Sequence, residues 1–169
     1  MKIVSLLIPT RSNSMVIDDL IKSALDNAYD LDNIEIIVSL SETDMIDRWF
    51  KDKVKIVRNN KQKGRYGLHE YMNSMAKVAT GGLLWILCDD FRIKTKNYDL
   101  ILSGLISFFD KVYRFMPRGG NITGNTCPLL TRRWYQVTGR ISDWWVVDCW
   151  TQALAAKLPP DRIENYVPI

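Results

Sequence analysis

Four short apolar runs, at 3–8, 34–38, 54–57 and 83–88, constrain this chain more than any other feature. Between them lie stripes with helical spacing: Val16, Ile17, Leu20, Ile21, Ala24, Leu25 and Ala28, then Leu68, Tyr71, Met72, Met75 and Ala79. Short apolar runs bounded by turn residues read as buried strands, and a 3.6-residue stripe reads as a helix with one buried face. The first half is therefore strand–helix–strand–strand–helix–strand. That order predicts an α/β domain with a mostly parallel central sheet and helices on both faces.

Parallel strands end at one edge, and sheets of this kind bind ligands there. The segments that follow the runs are Pro9-Thr10-Arg11, the Ser39–Asp44 loop, the Arg58–Arg65 loop and Asp89-Asp90. The sequence thus predicts that one edge collects all four.

The second half is less regular. Helices are expected at 98–109, 134–137 and 145–158, the last with Asp143 at its start as an N-cap. Met45–Phe50 reads as a short helix, 112–131 as a possible strand with a Gly- and Asn-rich stretch at 119–125, and the Pro-rich tail as irregular. No repeat, low-complexity tract or linker interrupts the chain, so 1–169 is read as one domain. At 169 residues, 47% hydrophobic and 25% charged, it can bury a core, which argues against global disorder, collagen and coiled coil.

Several function classes fall away. No run approaches the roughly 20 apolar residues of a membrane span, and residues 3–8 meet Pro9 without a cleavage site, so a cytoplasmic location is expected. Cys88, Cys127 and Cys149 are too few and too scattered for a disulfide scaffold, and a single histidine, His69, excludes His-rich zinc sites. Neither GxxxxGK[ST] nor GxGxxG is present, which disfavours the usual nucleotide hydrolases and dinucleotide oxidoreductases. The net charge of +4 permits anionic ligands without demanding nucleic acid. Asn121-Ile122-Thr123 matches a glycosylation sequon, read as incidental without a secretion signal.

Asp89-Asp90 is the sharpest chemical signal. Two neighbouring carboxylates repel, and Mg²⁺ or Mn²⁺ relieves the conflict while binding phosphate oxygens. The alternative is a solvated turn. Arg58, Lys61, Lys63 and Arg65 could hold a diphosphate beside them, or form a solvated charged loop. Trp134, Trp144, Trp145 and Trp150 crowd a short span and are either core or a stacking surface for sugars. Asp148 stands among apolar neighbours (Trp145-Val146-Val147-Asp148-Cys149-Trp150), as an acid facing solvent or held in a cleft.

These residues, taken in order, resemble the family-2 glycosyltransferases of GT-A fold. Val4-Ser5-Leu6-Leu7-Ile8-Pro9-Thr10-Arg11 is similar to their first strand, and Ile34-Glu35-Ile36-Ile37-Val38 to their second. Asn73, Ala79-Thr80-Gly81-Gly82 and Leu83–Asp90 resemble their Asn-bearing helix, A-x-G turn, apolar strand and acidic metal motif. Pro128-Leu129-Leu130-Thr131-Arg132, Gly139 and Asp148-Cys149-Trp150 resemble the acceptor-side segment with the catalytic base.

The resemblance implies a Rossmann-like GT-A domain with a nucleotide-binding half (1–90) and an acceptor-side half (91–169). It implies metal-dependent, inverting transfer of a sugar from a nucleotide-diphosphate donor to an acceptor hydroxyl. Asp90 and Asp89 would hold Mn²⁺ or Mg²⁺, and Asp148 would be the general base. Pro9, Thr10, Arg11, Ser39, Lys63, Arg65 and Asn73 would bind the nucleotide; Arg132, Trp144 and Trp145 would lie on the acceptor side.

Three departures stand out. Ser39-Leu40-Ser41 occupies the place of a base-reading acid, with Glu42 and Asp44 displaced downstream. Cys88 replaces the first acid of the D-x-D motif, and no late histidine follows. These keep a second reading open, a non-catalytic nucleotide-sugar-binding protein of the same fold. A third reading is a nucleic-acid-binding α/β domain using the basic loop.

Overall fold

A computed structural model describes residues 2–10, 14–41, 50, 52–59, 64–118, 127–157 and 165–168. The elements are β1 (Val4–Pro9), α1 (Ser14–Asn27), β2 (Ile34–Ser41), β3 (Lys55–Asn59), α2 (Leu68–Val78), β4 (Leu83–Ile86), α3 (Tyr98–Ser103), β5 (Arg114–Arg118), β6 (Leu129–Thr131), α4 (Arg132–Thr138), α5 (Val147–Ala155) and β7 (Asn165–Pro168). The seven strands form one sheet in the order β3-β2-β1-β4-β6-β5-β7.

The four strands expected from the apolar runs are adjacent and parallel. Pro9 pairs with Ser39, Ser39 with Val57 and Leu7 with Ile86. β6 alone runs antiparallel to its neighbours, pairing Leu83 with Thr131 and Arg114 with Leu130. Each central strand alternates its side chains between two cores. Leu6, Ile8, Ile36, Val38, Leu83 and Trp85 meet Ile17, Leu20 and Ile21 of α1 and Tyr98 and Leu102 of α3. Leu7, Ile37, Leu84, Ile86 and Leu130 meet Met72, Met75 and Ala76 of α2, Trp134 of α4 and Val147 of α5. Helices on both faces follow from this period-two division of fully apolar strands.

At the opposite edge from the candidate site, the chain turns tightly through Thr80-Gly81. The Thr80 N–H donates to Glu35 at 2.8 Å, Ser5 Oγ to Glu35 at 2.6 Å, and the Gly81 N–H to Ser5 Oγ at 2.9 Å. A Cβ on Gly81 would stand 2.6 Å from the Ser5 nitrogen, so backbone approach requires glycine here.

The tail departs from expectation: Asn165–Pro168 is a strand, parallel to β5. A four-residue edge strand takes its order from its partner, and an edge strand is where proline is tolerated. Asp143 does not cap α5, whose N-cap is Val146 without a side-chain hydrogen bond. Asp143 is exposed and ion-paired with Arg140 instead. The expected helix at 98–109 is α3 followed by a 3-10 turn at Ile106–Phe108. Asn121–Thr123 and nearly all of Met45–Phe50 lie outside the described residues. Among the described residues, no helix is long and apolar enough to cross a membrane.

Candidate active site at the carboxyl edge of the sheet

β1 and β4 are hydrogen-bonded neighbours, and the bond from the Leu87 N–H to the Leu7 carbonyl (3.0 Å) extends their pairing past the end of β4. The chain then turns at Asp89-Asp90, beside the end of β1. The buried Thr10 hydroxyl donates to Oδ2 of Asp89 at 3.0 Å. The Thr10 N–H donates to the Ser39 carbonyl at 3.2 Å, so the ends of β2, β1 and β4 are linked laterally. Asp89 is half-buried and Asp90 exposed.

The remaining nucleotide-side residues divide. Pro9 ends β1 half-buried. Ser39 is buried, and its Oγ accepts a hydrogen bond from Asn59 Nδ2 at 2.5 Å. Arg58, at the end of β3, is exposed. Arg11, Glu42, Asp44, Lys61 and Lys63 lie outside the described residues, as does the side chain of Arg65. Asn73 holds the chain that follows α4. Its Oδ1 accepts from the N–H groups of Ile141 (2.6 Å) and Ser142 (3.3 Å), and its Nδ2 donates to the Ser142 carbonyl at 2.8 Å. The amide clamps the chain ahead of Trp144 against α2.

Trp144 and Trp145 are tied to α2 and the turn before it. That helix begins at the carboxyl edge, directly after a 3-10 turn at Gly64–Gly67 that carries Tyr66. The Tyr66 and Trp145 rings meet edge-on at 5.5 Å, and Trp145 meets Trp144 at 5.9 Å. Asp148 follows in the first turn of α5, half-buried, where the helix dipole favours an anion. Trp134, by contrast, is fully buried core.

Arg132 falls elsewhere. Because β6 runs antiparallel, the residue after Thr131 emerges at the amino-terminal edge of β4. The Arg132 N–H donates to the Gly82 carbonyl at 2.7 Å and its guanidinium to the Ala79 carbonyl. Arg132 thus closes the end of α2, on the far side of the sheet from Asp89.

Tyr66 went unnoticed in the sequence, although an aromatic between a basic loop and a helix start was a usable signal. Cys88 and Cys127 are also brought together. The Cys127 hydrogen bond, then burial and the carboxylates of Asp90 and Asp89, push the Cys88 thiol far up.

The donor set fits Mg²⁺ or Mn²⁺. Asp89 and Asp90 offer hard oxygens, and such ions take one or two carboxylates with phosphate and water completing the shell. Among the described residues no group of three or more His, Cys, Asp or Glu could hold a metal by itself.

No family model and no curated protein sequence matches the chain. Solved structures do. The chain is similar to S. aureus TarS 1-349 in complex with UDP, with a TM-score of 0.71, 13% identity and coverage of 100% of this chain and 61% of that one. It is similar to the mannosyltransferase PcManGT from Pyrobaculum calidifontis in complex with GDP-Man and Mn²⁺, with a TM-score of 0.69, 14% identity and coverage of 98% and 57%. The fold is that of the GT-A glycosyltransferases. The chain spans about three fifths of these GT-A neighbours.

Proposed function

We propose that this chain transfers a sugar from a nucleotide-diphosphate donor to an acceptor hydroxyl, with inversion. The observation that carries the reading is the Thr10–Asp89 hydrogen bond, which orients one member of an acidic pair at the carboxyl edge of a GT-A sheet. The neighbours solved with UDP and with GDP-Man and Mn²⁺ support a nucleotide-sugar donor and a divalent cation.

Residues 1–90 serve the donor and 91–169 the acceptor. Asp89 and Asp90 would hold Mn²⁺ or Mg²⁺, which would supply positive charge against the leaving diphosphate. Pro9, Thr10 and Ser39 line the nucleotide, with Arg11, Lys63 and Arg65 following from the same strand ends. Trp144 and Trp145 flank the acceptor. Asp148 accepts the proton of the acceptor hydroxyl, which is a poor nucleophile while it keeps that proton. Asn73 positions the acceptor segment through Ile141 and Ser142.

A donor-turnover assay tests this reading: nucleotide sugars are incubated with Mn²⁺ and candidate acceptors, and nucleoside diphosphate release is followed. Release that needs both Mn²⁺ and Asp148 is expected. Cys88 in the acidic motif and Ser39 in place of an acid favour a second reading, a protein of the same fold that binds nucleotide sugars without turning them over. Donor binding with no release on any acceptor would select it.

A further inference from the structure

We propose that Tyr66, Trp145 and Trp144 form one continuous acceptor subsite and that the acceptor it takes is a pyranoside. The proposal rests on the transferase reading and narrows its acceptor to a chemical class. Tyr66 and Trp144 are 58% and 53% exposed, and Trp145 touches both rings, so three aromatics share one exposed patch. The interplanar angles of 72° and 65° make the three rings a stepped array of faces and edges rather than a closed stack.

The array is held in place before any ligand arrives. Asn73 fixes the backbone of Ile141 and Ser142. Ser142 Oγ then accepts from the Trp144 N–H at 3.0 Å and donates to the Trp144 carbonyl at 2.7 Å. Rigid aromatic side chains on a pinned backbone lose little entropy on binding, which is the economy of a recognition surface. Tyr66 ties the array to the carboxyl edge, and Asp148 lies four residues beyond Trp144.

The chemistry selects the ligand. A pyranose ring carries a flat C–H face that lies against the electron-rich face of an aromatic ring, and a rim of hydroxyls. The exposed Arg140–Asp143 pair beside Trp144 offers charged partners for that rim. A linear polyol has hydroxyls but no flat face, and an alkyl chain has neither the shape nor the hydroxyls.

The test is a fluorescence and saturation-transfer titration of the full chain with maltotriose, cellotriose and chitotriose, and with ribitol as the linear control. Saturable binding of at least one trisaccharide and none of ribitol is expected. W144A and Y66A should each weaken it by about threefold or more, the size of one aromatic contact. L100A, which removes an equally exposed apolar side chain on α3, should leave it unchanged. Nucleoside diphosphate with Mn²⁺ is titrated in parallel. If it stabilises the protein while no trisaccharide binds, or if binding survives W144A and Y66A, the subsite is overturned and the transferase reading stands. Trisaccharide binding without nucleotide binding would leave the subsite standing and remove the transferase reading.

Discussion

Thr10 donates its hydroxyl proton to Asp89 across 3.0 Å, joining the ends of two parallel strands that lie 79 residues apart in sequence. The bond occupies one oxygen of a carboxylate that would otherwise repel Asp90 unaided. It orients one carboxylate at the end of β4, next to the exposed Asp90.

Thr10→Val keeps the shape of the side chain and removes that bond. It should weaken Mn²⁺-dependent binding of a nucleoside diphosphate by about tenfold, near the lower end for a hydrogen bond to a charged group. Calorimetric titration measures this directly. Unchanged affinity would mean that Asp89 is oriented by other contacts.

Asp148→Asn should lower transfer by about 10²–10⁴-fold while donor affinity and thermal stability hold. Asp143→Asn should leave kcat unchanged and raise at most the acceptor KM, because Asp143 is ion-paired with Arg140 beside Trp144. Steady-state kinetics on both variants separates the two acids. A loss in Asp143→Asn with none in Asp148→Asn would move the base to Asp143.

Asp99 predicts an acid limit to stability. Burial pushes its carboxyl up, but hydrogen bonds from the Tyr29 N–H (2.6 Å), the Asn33 amide (3.0 Å) and the Asp30 N–H (3.1 Å) outweigh it and hold the group below its ordinary value. A carboxyl depressed in the folded state contributes fully above its unfolded pKa of about 3.9, and the contribution is lost as pH falls through the lower folded value. Asp99→Asn should therefore lower stability at neutral pH and flatten its fall below about pH 4. Urea unfolding across pH 2.5–7 checks both (the range is an approximate experimental window set by carboxylate titration).

Gly81→Ala should destabilise the domain by about 1–3 kcal/mol through overpacking, because the new methyl meets the backbone of Val4 and Ser5 and neither can rotate away. Urea denaturation reads the loss, and an unaltered midpoint would show that β1 can shift.

What the sequence made legible was whatever repeats locally. The runs at 3–8 and 34–38 and the stripes on α1 and α2 show their period within a dozen residues, so their fold and common edge could be read directly. β6 and β7 are three and four residues long and carry no period; they are strands because distant partners order them. The antiparallel run of β6 decided the fate of Arg132, which no local pattern contains. Asn73 was legible as a functional position, but its partners, Ile141 and Ser142, lie 68 and 69 residues away. Tyr66 joins Trp145 only once α2 and α5 pack on the same face.

The central claim is that Asp89 and Asp90 hold a cation that binds the donor diphosphate. Thermal unfolding of the intact chain and of Asp90→Ala, with UDP or GDP and with or without Mn²⁺, tests it most directly. A ligand at about 100 times its Kd adds about 2.7 kcal/mol to the folded state. For a chain of this size that amounts to a rise of roughly 5–10 °C in Tm. The account predicts that rise for the natural sequence only when nucleotide and Mn²⁺ are both present, and its loss in Asp90→Ala. A rise of the same size in Asp90→Ala, or none with either nucleotide in the natural sequence, would contradict it.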